Sequence, residues 1–361
     1  MHHLTRERDT STRFFSIQYL RALAALLVVC VHAGTWVGDS LPPVIRPLIN
    51  HGHAGVDLFF VISGFIIWTI TRTRPVAPVV FLWKRILRIV PLYWTATVMW
   101  IIFALVAGFE WITLTPAHIV KSLSFVAHYS PSYPDEIWPV LIPGWTLTYE
   151  MSFYILCALI LVLPTRARLS ALVSVLMCLP LLGLLLAPEN ALLRTYTSPL
   201  GLEFLAGCLV AELRRHIPGS VGRNLIVLGC ALALYASLGN EPHAQNDVTR
   251  TLFYGLPAAL LVSACIGLQH LTPRLTRLEM LGDASYAIYL GHLFVVVPMG
   301  VLWTRMTWVH SDISSVAFVL MALMGSCWLG TFLHHYFDQP LQRRLARSRN
   351  PYLRGATIES R

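Results

Sequence analysis

One segment of the chain places a guanidinium and an imidazole within an otherwise apolar run. Arg21 and His32 both lie in residues 17–37, which read IQYLRALAALLVVCVHAGTWV. A helix turns about 100° and rises about 1.5 Å per residue, so the two side chains share one face, roughly 16 Å apart. Ionisable groups within a bilayer are costly and face a protein interior or a water-filled cavity. The pair therefore predicts a path through a membrane, with an imidazole beside it that can act as a base.

Two acidic residues are predicted to lie near the level of His32. Asp57 begins the second apolar segment, within GVDLFFVISGF, and Glu150 begins the fourth, within PGWTLTYEMSFY. Both segments run opposite to the first, so their beginnings lie at the His32 end of the membrane. A carboxylate can fix the tautomer of a histidine and stabilise its protonated form. His32, Asp57 and Glu150 are therefore the candidate catalytic residues for general-base chemistry.

These three residues also allow a purely structural interpretation. Asp57 could cap its helix, Glu150 could interact with the positive end of its helix dipole, and His32 could hydrogen-bond to either. Each is reasonable for a single residue. The convergence of three ionisable groups within a membrane favours the functional interpretation.

A second charged cluster is predicted at the opposite, cytoplasmic end. Arg85 and Arg88 lie three residues apart in KRILRIVPLYW, hence on one helical face, and Arg21 shares their level. Guanidinium groups suit phosphate, so these three arginines are the candidate binding residues for a phosphorylated donor. The alternative is ordinary basic flanking of a membrane segment, which suits Lys84 better than Arg88, since Arg88 lies within the apolar run.

Three further polar residues fall within apolar segments and are predicted to line the path. They are Ser63, Tyr149 and His292, the last within SYAIYLGH and near mid-depth. A buried imidazole needs a partner, which the sequence does not identify for His292.

The elements that carry these residues are predicted to be membrane-spanning helices. Charged residues make up 12% of the chain and the mean hydropathy is +0.62. A soluble domain has about 25% charged residues. Ten apolar segments approach the roughly 20 residues that span a bilayer. They are residues 17–37, 54–71, 87–107, 145–163, 169–187, 198–213, 224–239, 251–269, 282–303 and 313–334.

The distribution of basic residues predicts that both termini are cytoplasmic. With ten spans and the N-terminus inside, about 22 of the 27 Lys and Arg residues fall on the inner side, and Arg250 is among the few outside. The net charge of +9 is thus explained by topology. No nucleic-acid-binding module is apparent, and we expect no nucleic-acid partner.

The predicted organisation is a single membrane domain with short flanking segments. Residues 1–16 form a cytoplasmic segment, 17–337 the transmembrane domain and 338–361 a basic cytoplasmic tail that lies on anionic lipid. The first helix is long and lacks a small-residue cleavage site, so we expect it to be retained. The connection 108–144 could form a lid or re-entrant element over the outer mouth, or an interfacial aromatic belt. The seven cysteines show no metal-ligand spacing, and no metal site is predicted.

These motifs, in this order and spacing, resemble the acyltransferase-3 family of bacterial membrane O-acyltransferases. The resemblance covers residues 15–340, and the opening FFSIQYLRALAAL is most similar to the ExoZ-type exopolysaccharide acetyltransferases. It implies a ten-helix fold in the bacterial inner membrane. It also implies transfer of an acyl group, most simply acetyl, from cytoplasmic acyl-CoA to a hydroxyl of an exopolysaccharide or a lipid-linked oligosaccharide precursor.

The resemblance also assigns residues, partners and cofactors. The family's paired arginine and histidine correspond to Arg21 and His32, its basic cluster to Arg85 and Arg88, and its two acids to Asp57 and Glu150. Acyl-CoA is a co-substrate, and no permanently bound cofactor is implied. The expected partners are membrane lipid, the glycan acceptor and polysaccharide synthesis machinery. Some members carry a fused extracytoplasmic domain that this chain lacks, so a separate partner could complete the transfer.

A different class of function is also compatible with buried charges in a membrane. A glycan exporter or proton-coupled transporter would use them as a relay, but such folds often contain inverted repeats with paired broken helices. The Arg-His and Gly-Val-Asp motifs have no counterpart in the second half of the chain. An inactive scaffold in a polysaccharide synthesis complex is a third alternative.

Overall fold

The computed structural model describes residues 14–73, 76–216, 220–236, 246–306 and 311–347, which form helices and connecting segments without a β-strand. Most of the predicted N-terminal segment and the last part of the basic tail lie outside the described residues. The all-α fold class is confirmed for the described part of the chain.

Most of the helices follow one another with short connections, and residues 108–144 form a longer one. Their bounds are α1 Phe15–Val37, α2 Arg46–Asn50, α3 Ala54–Thr73, α4 Pro78–Ala107, α5 Pro116–Leu123, α6 Trp145–Ile160, α7 Thr165–Leu186, α8 Ala191–Tyr196, α9 Gly201–His216, α10 Val221–Ala236, α11 Asp247–Arg250, α12 Leu256–Gly267, α13 Thr276–Gly291, α14 Leu293–Arg305, α15 Asp312–Leu333 and α16 Gln339–Arg347. Two π-helical segments, Thr251–Gly255 and His334–Asp338, join α11 to α12 and α15 to α16.

All ten predicted segments coincide with helices, but the count of ten spans is not confirmed. Among the described residues, six helical stretches are long and apolar enough to cross a membrane, and the bent pair α13–α14 would be a seventh. The helices α6, α9 and α10 have 16 residues each. At about 1.5 Å per residue they are shorter than the roughly 30 Å hydrocarbon layer. The positions of both termini stay a prediction.

The helix that carries Arg21 and His32 lies inside the bundle. Helix α1 packs against α3, α13, α14 and α15, and Ala24, Ala25 and Val29 on it have no exposed surface. The outer helices instead expose large apolar side chains, which a bilayer would cover. These include Met99, Ile102 and Leu105 on α4, Leu181, Leu184 and Leu185 on α7, and Leu320, Met324 and Trp328 on α15. The chain is a multi-pass membrane protein.

Helices α3 and α9 cross at a distance that requires glycine on both sides. A Cβ atom added at Gly64 would lie 2.0 Å from the carbonyl oxygen of Phe204, and one at Gly207 would lie 2.0 Å from that of Val61. Small residues allow such close contact between helices in a membrane. This crossing fixes the height of α9 beside α3, and thereby the height of the acidic residue Glu203 on α9.

A sharp bend divides α13 from α14 at His292. The two helix axes differ in direction by 52°. The Nδ1 atom of His292 donates a hydrogen bond of 2.7 Å to the carbonyl oxygen of Tyr289, three residues earlier in α13. A broken helix within a membrane is tolerated where neighbouring groups satisfy the freed backbone, and it often marks a binding site.

The glycine crossing is testable by a substitution of one methyl group. Gly207→Ala should lower the free energy of unfolding by about 1–3 kcal/mol, because the added Cβ atom forces two packed helices apart. Gly229→Ala on α10 is the matched control, since its Cβ atom meets no atom within 4 Å and alanine favours the helix. Thermal unfolding of the purified protein in detergent measures both. Equal unfolding temperatures for the two variants would contradict the close crossing.

Candidate active site

The first cavity lies at the Arg21 end of α1 and is here called the basic chamber. It has a volume of about 170 Å³ and is lined by Arg21, Arg85, Arg88 and Glu150, together with polar and aromatic side chains. A cavity of about 150 Å³ holds one benzene ring. The enclosed space therefore suits a narrow chain and is too small for a nucleotide.

The three arginines of the basic chamber differ in how firmly they are held. Arg88 forms an ion pair of 3.3 Å with Asp338, and its guanidinium lies 5.7 Å from the ring centre of Tyr286. Arg85 instead lies over the rings of Phe81 and Tyr154, and its buried Nε atom has no hydrogen-bond acceptor among the described residues. Arg85 is thus better placed than Arg88 to bind an external anion.

Glu150 belongs to the basic chamber, which differs from the prediction that it lies beside His32. Its Oε1 atom accepts a hydrogen bond of 2.9 Å from Ser63 Oγ and another from the hydroxyl of Tyr154. These donors and the nearby arginines stabilise a carboxylate there. Ser63 lines this chamber.

The second cavity lies at the His32 end of α1 and is here called the large chamber. Its volume is about 750 Å³, and its wall includes His32, Tyr149 and Arg250. Residues 121–142 of the long connection supply much of the remaining wall, including His128, Asp135, Glu136 and Trp138. The connection therefore covers the chamber, which supports its interpretation as a lid. Tyr149 also lines the chamber.

His32 contacts another histidine, and no carboxylate contacts it in the described hydrogen bonds. The ring centres of His32 and His292 are 4.9 Å apart. Since the Nδ1 atom of His292 donates to a carbonyl oxygen, the Nε2 atom of a neutral ring carries a lone pair. That buried atom has no hydrogen-bond partner among the described residues. His292 is fully buried and is not among the residues that line the three cavities described here.

Asp57 is paired with an arginine, which corrects the prediction that it orients His32. Arg250 donates to both carboxylate oxygens, from Nε to Oδ1 and from Nη2 to Oδ2, each over 3.0 Å. Asp57 is fully buried and Arg250 is 8% exposed. The guanidinium also lies 5.2 Å from the ring centre of Trp145. A planar bidentate pair satisfies a buried carboxylate more completely than one imidazole could.

A second buried acid adjoins this ion pair. Glu203 is 1% exposed and lies beside Asp57 and Arg250. Its two carboxylate oxygens find no donor among the described residues. Two carboxylates beside one guanidinium leave an excess negative charge, which one proton shared between the acids would remove.

The third cavity lies on another side of His32 and is here called the aromatic pocket. It has a volume of about 200 Å³ and is lined by Trp36, Trp100, Trp111 and neighbouring apolar residues, with His32 and His118 among its polar atoms. The large chamber and the aromatic pocket share His32, Thr35, Tyr133, Pro139 and Ile142. His32 therefore stands where two cavities meet.

The basic chamber and the large chamber also have common wall residues, namely Val56 and Tyr289. The hydroxyl of Tyr289 donates to the carbonyl oxygen of Pro143 over 2.9 Å and lies 2.9 Å from Thr146 Oγ1. Its ring meets that of Phe59 edge-on. The basic chamber and the large chamber thus lie on either side of Val56, Phe59 and Tyr289, which are here called the waist. The large chamber in turn meets the aromatic pocket at His32.

Some residues of this site were not predicted from the sequence. Arg250 lies in a segment that the sequence predicts as an outer loop, and its partnership with Asp57 joins residues 193 positions apart. Glu203 is an acid within the apolar segment 198–213, which is itself a signal of a buried polar site. The carbonyl partner of His292 is local, whereas its contact with His32 depends on the packing of α13 against α1.

Comparisons with known proteins agree with this architecture. The family model described as an acyltransferase domain, acyltransferase-3, matches residues 14–340. The chain is 37% identical over 298 residues to the exopolysaccharide production protein ExoZ of Rhizobium meliloti (strain 1021), covering 81% of this chain and 90% of that protein.

Two more distant relatives are also similar. The putative peptidoglycan O-acetyltransferase YrhL of Bacillus subtilis (strain 168) is 25% identical over 91% of this chain and 55% of its own length. Nodulation protein 10 of Rhizobium leguminosarum bv. viciae is 27% identical, over 84% of this chain and 89% of that protein. No solved structure matches the chain.

The family match spans nearly the whole helical bundle and includes every residue of the three cavities. The chain therefore belongs to the acyltransferase-3 family and is a membrane acyltransferase.

Proposed function

We propose that this enzyme transfers an acyl group, most simply acetyl, from cytoplasmic acyl-CoA to a hydroxyl group of an exopolysaccharide or its lipid-linked precursor, in the bacterial inner membrane. The observation that supports this most is the series of cavities along α1. A cationic chamber lies at Arg21, and two further cavities meet at His32.

The basic chamber is the proposed entrance for the donor. Arg21, Arg85 and Arg88 would contact the phosphates of CoA at its mouth. The narrow pantetheine arm would enter the chamber and pass the waist at Val56 and Tyr289. The roughly 16 Å along α1 between Arg21 and His32 is then bridged by the arm.

The large chamber is the proposed acceptor site. Its volume of about 750 Å³ has room for a sugar, and its wall combines aromatic rings with acidic and basic side chains. Such a wall can stack against a sugar face and hydrogen-bond to its hydroxyl groups. The names of ExoZ and of YrhL, which refer to exopolysaccharide and peptidoglycan, are consistent with a glycan acceptor. Polysaccharide synthesis machinery and membrane lipid are the proposed partners.

The proposed reaction is a direct acyl transfer. His32 accepts the proton of the sugar hydroxyl as its oxygen attacks the thioester carbon. The new C–O ester bond forms, the C–S bond breaks, and the proton passes from His32 to the leaving thiolate. The products are the O-acylated glycan and CoA with a free thiol, with no net change in oxidation state.

The roles of the other predicted catalytic residues follow from their contacts. His292 is proposed as the positioning residue of His32, because its free Nε2 lone pair adjoins that ring. Glu150 is proposed to organise the donor chamber through Ser63 and Tyr154. Asp57 is proposed to hold the fold through Arg250.

Removal of the proposed base should abolish transfer and leave the bundle intact. His32→Ala is expected to lower the rate of glycan O-acylation by about 10²–10⁴-fold, the usual contribution of a general base. The ester content of polymer from cells that produce the variant measures this loss. His335→Ala, at an exposed histidine, is the control and should leave the ester content unchanged. Normal ester content with well-expressed His32→Ala protein would overturn the assignment.

Substitutions of neighbouring basic residues should differ in their effect on the affinity for acetyl-CoA. Arg85→Gln is expected to raise the Kd for acetyl-CoA by about 10- to 100-fold, as the loss of a charged hydrogen bond predicts. Arg88→Gln should have a smaller effect on phosphate contact, because Arg88 is already paired with Asp338. Lys84→Gln, on the same helix and exposed, is the control. Calorimetric titration in detergent measures each Kd, and equal values for Arg85→Gln and Lys84→Gln would contradict the proposal.

The cluster of Asp57, Arg250 and Glu203 should show strong energetic coupling. In Asp57→Asn, the carboxylate of Glu203 remains to neutralise Arg250. The double variant Asp57→Asn with Glu203→Gln removes both carboxylates that adjoin the buried guanidinium, at a cost of about 3–5 kcal/mol. A double-mutant cycle from unfolding temperatures should therefore give a loss larger than the sum of the two single losses. Simple additivity would show that Glu203 does not share this charge.

A further inference from the structure

We propose that the aromatic pocket binds the acyl chain of the donor and selects uncharged acyl groups of two to about six carbons. This inference rests on the proposed acyl-CoA donor. It adds a binding site for the part of the donor that is transferred, separate from the site of the sugar.

The position of the pocket fits an acyl chain that is attached to the reacting carbon. His32, Thr35 and Ile142 line both the large chamber and the aromatic pocket. A hydroxyl group of a sugar in the large chamber can therefore attack a thioester carbon that is held at His32. Its alkyl group then has the aromatic pocket as a second space, which the sugar does not occupy.

The walls of the pocket are suited to methylene groups. Trp100 and Leu293 are buried, and Trp100 meets Phe294 edge-on at 5.4 Å between ring centres. Trp36 and Val297 complete the apolar side. Burial of one methylene group contributes about fourfold in affinity. The affinity for the acyl chain should therefore increase with each carbon that these walls cover.

The volume sets the upper limit of the chain. An apolar cavity of about 150 Å³ accommodates benzene, and the aromatic pocket has about 200 Å³. A chain of about six carbons fills this space. An acetyl group would leave most of it empty, so the pocket is larger than acetyl transfer requires.

The charge of the pocket excludes an acyl group that ends in a carboxylate. No Lys or Arg residue lines it. His118, in the long connection, lies 2.7 Å from His128 between Nδ1 and Nε2. Burial, together with His128, lowers the pKa of His118 to about 4, so this histidine is neutral at pH 7. The other polar side chains are His32, which must be neutral to act as a base, three tryptophans with indole N–H groups, and the hydroxyl-bearing Thr35, Ser130, Ser132 and Tyr133. None of these gives a carboxylate a counterion.

The test compares the affinities of acetyl-, butyryl-, hexanoyl- and succinyl-CoA for the full-length protein in detergent, by calorimetry at pH 7. For the wild type, the Kd should fall from acetyl to hexanoyl by at least tenfold, and succinyl-CoA should bind more weakly than butyryl-CoA. Val297→Phe fills the pocket and should bring the acetyl-to-hexanoyl ratio of Kd values close to one. Val297→Ala enlarges it and should extend the preference to octanoyl-CoA.

Controls keep the outcomes distinct. Leu302→Phe places a phenylalanine on the same helix at a side chain that is 55% exposed, and it should keep the wild-type ratio. Ile112→Trp fills the pocket from the long connection rather than from a packed helix, in case Val297→Phe fails to fold. If acetyl-CoA binds but the ratio is one in the wild type, the inference is wrong and the proposed donor stands. If no acyl-CoA binds, the proposed donor itself is wrong.

Discussion

The bidentate ion pair between Asp57 and Arg250 is the constraint on which the His32 end of the bundle depends. Two opposite charges with almost no exposed surface lie in an apolar interior, where separation of the pair would leave each charge without solvent. The geometry of a guanidinium fork allows little rotation once both oxygens are bound. The pair therefore fixes the start of α3 against α11.

This ion pair affects the large chamber because Arg250 and helix α3 both contribute to its wall. Arg250 lines the large chamber, and its Nη2 atom also lies 3.4 Å from the carbonyl oxygen of His53. Its guanidinium lies over Trp145 at the start of α6, so the same cation touches α3, α6 and the connection before α3. Helix α3 in turn supplies Val56 to the waist between chambers. A shift of this ion pair would therefore move Val56, which lines both chambers.

The sequence predicts the helices well because hydrophobicity over some twenty residues is a local property. Helical structure covers most of each of the ten apolar segments. The number of spans is harder to predict from the sequence, since α6, α9 and α10 are apolar but have only 16 residues each. Whether such a helix crosses a bilayer depends on its neighbours and tilt rather than on its own composition.

The partners of the site residues could not be predicted, because depth in the membrane does not determine direction around a helix. Glu150 was placed by its distance from the end of α6, but its side chain bonds to Ser63 and Tyr154 in the basic chamber. Asp57 was placed at the correct end of α3 and paired with a cation far along the chain. His32 and Arg21 were better determined, because one continuous helix fixes both their separation and their common face. The separation of Arg21 and His32 thus follows from a single helix, whereas the partners of Glu150 and Asp57 depend on the packing of two.

The separation of arginines from imidazole has a chemical consequence. A free cationic group beside His32 would oppose the positive charge that a base acquires as it accepts a proton. Arg250 lines the large chamber beside His32, but Asp57 neutralises its charge. The three arginines of the basic chamber lie beyond the waist formed by Val56, Phe59 and Tyr289. In the proposed mechanism, the fold thereby keeps the arginines that suit phosphate apart from His32, whose charge would change during the reaction.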